Sequence, residues 1–467
     1  MEQLIGIAKK ELKLGGLLLL ALVVVVFEYT VSSSIASVAF SAFILALGLI
    51  IIQTTKLKAQ EKSALVIVFF AAFSIVTIAT VVRWLGNEAS GSLFFNDAND
   101  QYKFWIASQE VSRYHSIKEI YKSCVIDNIY LRNGGYYFYI QSLSYIAEKY
   151  FDGNHLLLQQ LGTSFSAILS SIFIFLILRK YSSPAKIVKC SLMYLALTPI
   201  IIDSIGLHRD SIISFFYIVI FYFWLCRSIT ISSFIIQIIL CLILINIRFQ
   251  HGLFAIVFVL VSLIRTKSRT KWLYFAGLAI IISIYGLSFF DLLVSSVYDT
   301  FDYYGDVTSY SLESINSGLG RYVYRLPHPF KEIAQLLWLQ LQFPAWHPIA
   351  NANNFYLYIL GAWAFIINIF WFYLFCYTFA AIIKKRKDRV PEELKICLLL
   401  FVVFIFLNSS NLDLRRVVCV YPLLFTVYCF INSFRFEVSF SKRFNQLFYA
   451  GYGIICMAYI LMSAIHG

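Results

Sequence analysis

Long apolar runs separated by short polar connections alternate along the chain from Leu14 onward. A bilayer's hydrocarbon core, about 30 Å thick, needs roughly 20 apolar residues per crossing helix. About 13 stretches meet or approach that length: residues 14–31, 36–53, 64–82, 156–178, 190–206, 211–226, 231–247, 252–264, 272–290, 354–383, 396–410, 417–433 and 446–464. The pattern predicts an all-α, polytopic integral membrane protein with about 13 transmembrane helices and two large polar loops, residues 83–154 and 291–353. The whole chain, 1–467, reads as a single polytopic membrane domain. The first run follows Lys9, Lys10 and Lys13 without a small-residue cleavage pattern, so it reads as the first span rather than a removable leader.

Composition agrees with this pattern. Charged residues make up 13% and hydrophobic ones 60%, whereas soluble domains carry about 25% charged residues. The net charge of +13 does not point to nucleic acid, because the basic residues are scattered between apolar runs instead of forming one face. Their distribution has a sidedness. If connections alternate from a cytoplasmic N-terminus, one set contains 24 of the 38 lysines and arginines: Lys9 to Lys13, Lys56 to Lys62, Arg179 to Lys189, Arg227, Arg265 to Lys271, Lys384 to Lys395 and Arg435 to Arg443. These connections are the shorter set, as the positive-inside rule demands. Both large loops then face outward. Nine cysteines show neither a disulfide framework nor metal-type spacing, and no metal or cofactor is expected.

Candidate chemistry gathers on the outer side. Asp97 and Asp100, in the segment Phe94 to Trp105, are three residues apart, so a helix would place both on one face beside Tyr102 and Trp105. A carboxylate at a membrane surface can act as general base toward a hydroxyl; the competing reading is a helix start or cap. His208, Arg209 and Asp210 share a very short outer connection, where ionisable groups are costly unless they pair or bind something. Against this, Asp210 can cap the following helix, and Arg209 can snorkel to headgroups. Arg248 and His251, Arg321 and Arg325, and Arg415 and Arg416 add guanidinium and imidazole groups from separate outer connections. Guanidinium matches phosphate oxygens through two parallel hydrogen bonds. Glu28 and Asp203 lie within or at the end of apolar runs, positions that suit proton relays.

The order of features resembles the GT-C-type membrane glycosyltransferases, which use polyprenyl-linked sugars on the outer side of a membrane. The resemblance rests on NDANDQYKFW, LILRKY, LALTPIII and HRDSIISFF, over roughly residues 94–226, with an echo in RRVVCVYPLLF from Arg415 to Phe425. It implies that Asp97 or Asp100 activates the acceptor and that Arg209, Arg248 or the Arg415 and Arg416 pair holds lipid phosphate. Two spans precede the acidic loop here, and the motif is Asp-x-x-Asp where many relatives have adjacent acidic residues. Arginine-bearing outer loops also look like those of O-antigen and capsule repeat polymerases.

The expected function is transfer or polymerisation of a glycan from an undecaprenyl phosphate or diphosphate carrier at the periplasmic face of a bacterial inner membrane, in cell-surface polysaccharide synthesis. The expected partners are an undecaprenyl-linked sugar or oligosaccharide donor, a glycan or lipid-linked acceptor, and membrane lipid. Asp97 and Asp100 are the candidate catalytic groups; His208, Arg209, Asp210, Arg248, His251, Arg321, Arg325, Arg415 and Arg416 are the candidate phosphate or substrate ligands. The alternative is a lipid-linked glycan flippase or other transporter. Such proteins show related halves and broken helices, and neither is evident in the sequence.

Overall fold

The computed structural model describes residues 2–94, 98–127, 134–182, 186–227, 230–265, 271–272, 274–280, 283, 323, 325–327, 329–341, 346–385, 390–408, 414–433 and 438–466. Among these, helices and turns are present and no strand is. The chain divides into two compact units, one of Met1–Ser262 with Pro348–Phe365, the other of Leu263–His347 with Ile366–Gly467.

The first unit contains α1 (Glu2–Ser32), α2 (Ile35–Thr54), α3 (Ala59–Ala89), α4 (Ala98–Gln109), α5 (Ile117–Tyr121), α6 (Gly134–Tyr150), α7 (Leu156–Tyr181), α8 (Ile187–Leu197), α9 (Pro199–Ser204), α10 (Asp210–Cys226), α11 (Ile231–Ile247) and most of α12 (Phe249–Arg265). At its centre lies α7, packed against α2, α3, α8, α9 and α10. Among its buried residues, beside large apolar ones such as Leu161, Ile172 and Phe175, run the small and hydroxyl-bearing Gly162, Thr163, Ser164, Ser166, Ala167, Ser170 and Ser171. Small side chains let helix backbones approach closely, and each hydroxyl can return its hydrogen bond to its own helix, as Ser166 does to the Thr163 carbonyl and Ser170 to that of Ser166. Large aliphatic residues such as Leu19, Leu22, Ile235 and Ile239 point outward instead. Small and polar residues inside with apolar residues outside is the arrangement expected of a membrane-embedded bundle.

Among the described residues, six helices are long and apolar enough to cross a membrane: Gly15–Ser32, Ile35–Thr54, Ala59–Ala89, Leu156–Tyr181, Phe355–Lys384 and Lys442–Leu461. Shorter apolar helices, among them α8, α10 and α11, accompany them. The apolar run at 190–206 is not one span. It breaks at Thr198, whose hydroxyl caps α9 by accepting from the Ile200 N–H, with Pro199 at the first helical position. Proline fits there because the amide it lacks would be unpaired anyway. The carbonyl of Ala196, next to the break, accepts the Trp363 indole N–H at 2.6 Å. The expectation of no broken helix is thus corrected. A second correction concerns α3, which continues past residue 82 to Ala89, so Arg83 lies inside a helix and not in a loop. Most of the run at 272–290 lies outside the described residues.

The polar stretch 83–154 folds as α4, α5 and α6 with the π-helical turn Lys122–Ile126 between the last two. A buried hydrogen-bond chain joins them: Cys124 Sγ donates to Gln141 Oε1, and Gln141 Nε2 donates to the Ala107 carbonyl. Burial pushes the Cys124 thiol up to about 11, so it is a packing thiol and not a nucleophile. Asp152 reaches back 117 residues to accept from the Ile35 and Ala36 N–H groups at the start of α2.

The second unit has an aromatic core. Trp371 stacks on Tyr421 with centroids 4.6 Å apart, and the Tyr421 hydroxyl donates to Gln340 Oε1 at 2.9 Å. Tyr373 donates to Asn445 Oδ1 at 2.8 Å and stacks on Tyr377.

Candidate functional site

Chain direction in the first unit determines what meets at each end of the bundle. The start of α7, the start of α10 and the end of α11 lie at one end, beneath α4 and α6. The α9–α10 connection is held there by Thr163, whose hydroxyl donates to the Gly206 carbonyl at 2.7 Å. It is held also by Gln101 of α4, whose Oε1 accepts the Leu207 N–H at 3.1 Å. Gly206 is required by this approach: a Cβ would lie 2.8 Å from the His208 ring and 3.1 Å from Gln101 Oε1. Gly135, at the start of α6, is similarly close to the Asn246 backbone, with a Cβ 3.0 Å from its carbonyl carbon. Two glycines therefore let the outer helices α4 and α6 seat on the turns below them.

The central interaction is between Asp210 and Arg248. Arg248 Nη1 donates to Asp210 Oδ1 at 2.8 Å, with side chains only 13% and 12% exposed. Local structure favours both charges. Asp210 occupies the first turn of α10, where the helix dipole is positive, and Arg248 follows the last residue of α11, where it is negative. Arg209, the preceding residue, places its guanidinium 6.0 Å from the Phe104 ring centroid. Phe104 packs edge-on against Tyr136 and Tyr137 of α6, at 4.5 and 5.4 Å. Burial raises the Tyr137 phenol above its ordinary value, with smaller opposing effects of Arg209, which lowers it, and Asp100, which raises it. Asp100 and Arg209 thus act on one tyrosine. The Tyr136 phenol is raised well above its usual range by burial first, and it senses both Arg209 and Asp210. Its buried hydroxyl has no hydrogen-bond partner among the described residues. The arrangement is an aromatic wall facing a row of alternating charges, with a phenol O–H left to donate.

No family model matches this chain, and no curated protein or solved structure is significantly similar to it.

The sequence-derived candidates fall into three groups. Asp100, His208, Arg209, Asp210, Arg248 and His251 come together at this end of the first unit. Arg325, Arg415 and Arg416 belong to the second unit, Arg325 in an exposed turn and the other two in the short 3-10 helix Leu414–Arg416. Asp97 and Arg321 lie outside the described residues; α4 itself begins at Ala98, with Asp100 in its first turn.

Asp210 does not cap its helix as the competing sequence reading has it. Arg209 occupies the cap position, and the Asp210 carboxylate holds Arg248. His208 folds over Gly206 and is largely buried, and its carbonyl accepts from Ser211. His251 is buried against Tyr217, which donates its hydroxyl to the His251 carbonyl at 2.8 Å. Glu28 is buried, and one of its carboxylate oxygens accepts from Ser41 at 2.7 Å.

Sequence reasoning missed Gln101, Phe104 and Tyr136. Gln101 carried a usable signal, a polar residue on α4 one position past the acid. Tyr136 carried none, being one of several tyrosines in a row. No group of three or more metal-type ligands occurs among the described residues.

Proposed function

We propose that this chain is a membrane glycosyltransferase or polysaccharide polymerase that moves a glycan from an undecaprenyl phosphate or diphosphate carrier to an acceptor hydroxyl at the periplasmic face of a bacterial inner membrane. The observation that carries this reading is the convergence of Asp100, Arg209 and the Asp210–Arg248 pair, from three segments distant in sequence, against the Phe104, Tyr136 and Tyr137 wall. Aromatic faces suit sugar rings, and guanidinium groups suit the carrier's phosphate oxygens.

In this scheme the acceptor oxygen attacks the anomeric carbon as the bond from that carbon to the carrier phosphate oxygen breaks. The carrier leaves with the bonding electron pair, and a carboxylate, Asp100 or Asp97, takes the acceptor's proton. Arg209, with Arg248 behind it, offsets the negative charge growing on the departing phosphate. Arg325, Arg415 and Arg416 belong to the second unit and have no part in this step. The lipid-linked donor, the glycan or lipid-linked acceptor and membrane lipid are the partners of this scheme, and nucleic acid is not.

The test replaces each acid with asparagine. General-base catalysis contributes typically 10²–10⁴-fold, so one of Asp97→Asn and Asp100→Asn should lose at least about a hundredfold of its glycan-assembly rate, with an unchanged melting temperature. Full assembly by both variants would remove these acids from the chemistry.

The interruption at Thr198 gives the flippase alternative an observation of its own, since transporters build their sites at broken helices. Reconstitution separates the two: a new glycosidic bond without lipid movement supports transfer, and movement without bond formation supports the flippase.

A further inference from the structure

At the opposite end of the same bundle the helix termini surround two adjoining cavities of about 430 and 400 Å³. Both fall within the range of roughly 300–1,000 Å³ typical of small-molecule sites. Cationic side chains from three separate connections line the first: Lys56 between α2 and α3, Arg179 and Lys180 at the end of α7, and Arg227 after α10. Among its described lining residues Glu61 is the only carboxylate, and Arg179 Nε donates to its Oε1 at 2.6 Å. Two of the cations also donate to neutral oxygens. Lys180 Nζ donates to the Leu225 carbonyl at 2.6 Å, and Arg227 Nε to the Tyr222 hydroxyl at 2.7 Å. Four cations against one carboxylate among its described lining residues give the cavity an excess of positive charge.

The second cavity shares Thr55, Leu176, Tyr222 and Arg227 with the first and continues along the apolar Ile51, Phe173, Phe223 and Ile236 and the hydroxyl-bearing Thr54, Thr230, Ser232 and Ser233. A cationic chamber at the helix ends thus adjoins a furrow between α2, α7, α10 and α11, lined by uncharged side chains beyond Arg227, the large ones apolar. Each half alone admits many ligands. Joined at Arg227, they fit a molecule with a phosphate at one end and hydrocarbon at the other.

We propose that this end of the bundle is a binding site for an anionic phospholipid, its phosphate held by Lys56, Lys180 and Arg227 and one acyl chain lying along Phe173, Phe223 and Ile236. Basic pockets between membrane helices are suited to phospholipid headgroups. The phosphate lies about 25 Å from the Asp210–Arg248 pair, from the 17 residues of α10 at about 1.5 Å per residue. The site is separate from the proposed transfer site and does not depend on it.

The experiment titrates the purified full-length protein, in neutral detergent, with phosphatidylglycerol, phosphatidylcholine or inorganic phosphate, and reads bound lipid by native mass spectrometry and stability by thermal unfolding. Phosphatidylglycerol should bind saturably and raise the melting temperature; the other two should not. Combined Lys180→Gln and Arg227→Gln substitution should weaken binding by about tenfold or more, since each removes a charged hydrogen bond to phosphate. Ile236→Trp, which fills the furrow and leaves the cations, should weaken it as well.

Equal binding of phosphatidylglycerol by wild type and the double variant would overturn the proposal. Equal stabilisation by inorganic phosphate would overturn it in favour of a soluble-anion site. Should the double variant fail to fold, Lys56→Gln and Arg227→Lys decide the matter: the first must weaken binding and the second must keep it.

Discussion

The two ends of the first unit are built from the same helices and treat charge in opposite ways. At the end bearing Asp210, cation and anion are matched and largely shielded: Arg248 is paired at 2.8 Å, and Arg209 lies over an aromatic ring. At the other end Lys56, Arg179, Lys180 and Arg227 share one lining carboxylate around an open chamber. The difference traces to the connections. Helices α4 and α6 cover the first end, whereas the connections at the second end of this unit are short. Covering lowers the local dielectric, so charge there must be paired or it becomes prohibitive; an uncovered end tolerates surplus charge and can offer it to a ligand.

The contrast predicts a graded series of effects. Arg248→Ala should be the most damaging, because it removes the cation that pairs with the buried Asp210 carboxylate at 2.8 Å. Breaking a buried pair by removing one partner costs roughly 3–5 kcal/mol, readable as a large fall in the unfolding midpoint of the detergent-purified protein. Asp210→Asn combined with Arg248→Gln should recover part of that loss, and a wild-type midpoint for the single variant would show that the covered end is not truly dry.

Asp152→Ala comes next. It removes the acceptor of the Ile35 and Ala36 N–H groups at the start of α2, beside the Ser34 cap, and losses of this kind are about 1 kcal/mol. Burial pushes the Asp152 carboxyl up, but the Ala36 and Ile35 N–H groups outweigh it and hold the group below its ordinary value of 3.8. Its folded-state value being the lower, the stabilisation is present above pH 3.8 and disappears as pH falls through the lowered value. An acid titration of stability should show this step in wild type and not in Asp152→Ala.

Glu61→Gln, at the uncovered end, should do least. The Arg179–Glu61 pair is 40% and 28% exposed, and such surface pairs contribute about 0–1 kcal/mol. A larger loss would erase the distinction between the ends.

Much of the helical organisation was legible because apolar run length is a direct physical requirement. Helices stand where the runs at 36–53, 156–178 and 231–247 place them. The sidedness of the basic residues was legible too, in that Lys56, Arg179 and Arg227 do share one end. The break at Thr198 was written in Thr-Pro, a cap residue followed by a helix starter, but hydropathy averages over it. Pairing was not legible: Asp210 and Arg248 could be placed on one side, yet 38 residues of chain give no clue that the start of α10 abuts the end of α11. Nor was the closure of α4 and α6 over the turns, which rests on Gln101, Gly135 and Gly206, residues whose types say little until the backbone around them is known.

The brevity of α11 has a consequence for the lipid that its exposed Ile231, Ile235, Ile239 and Ile243 side chains would meet. It is 17 residues long, hence about 25 Å, against a hydrocarbon thickness of about 30 Å. A bilayer meeting this flank must thin locally to match, at a fraction of a kcal/mol per ångström. The protein would therefore deform its host membrane on that side, and shorter-chained lipids would accumulate there.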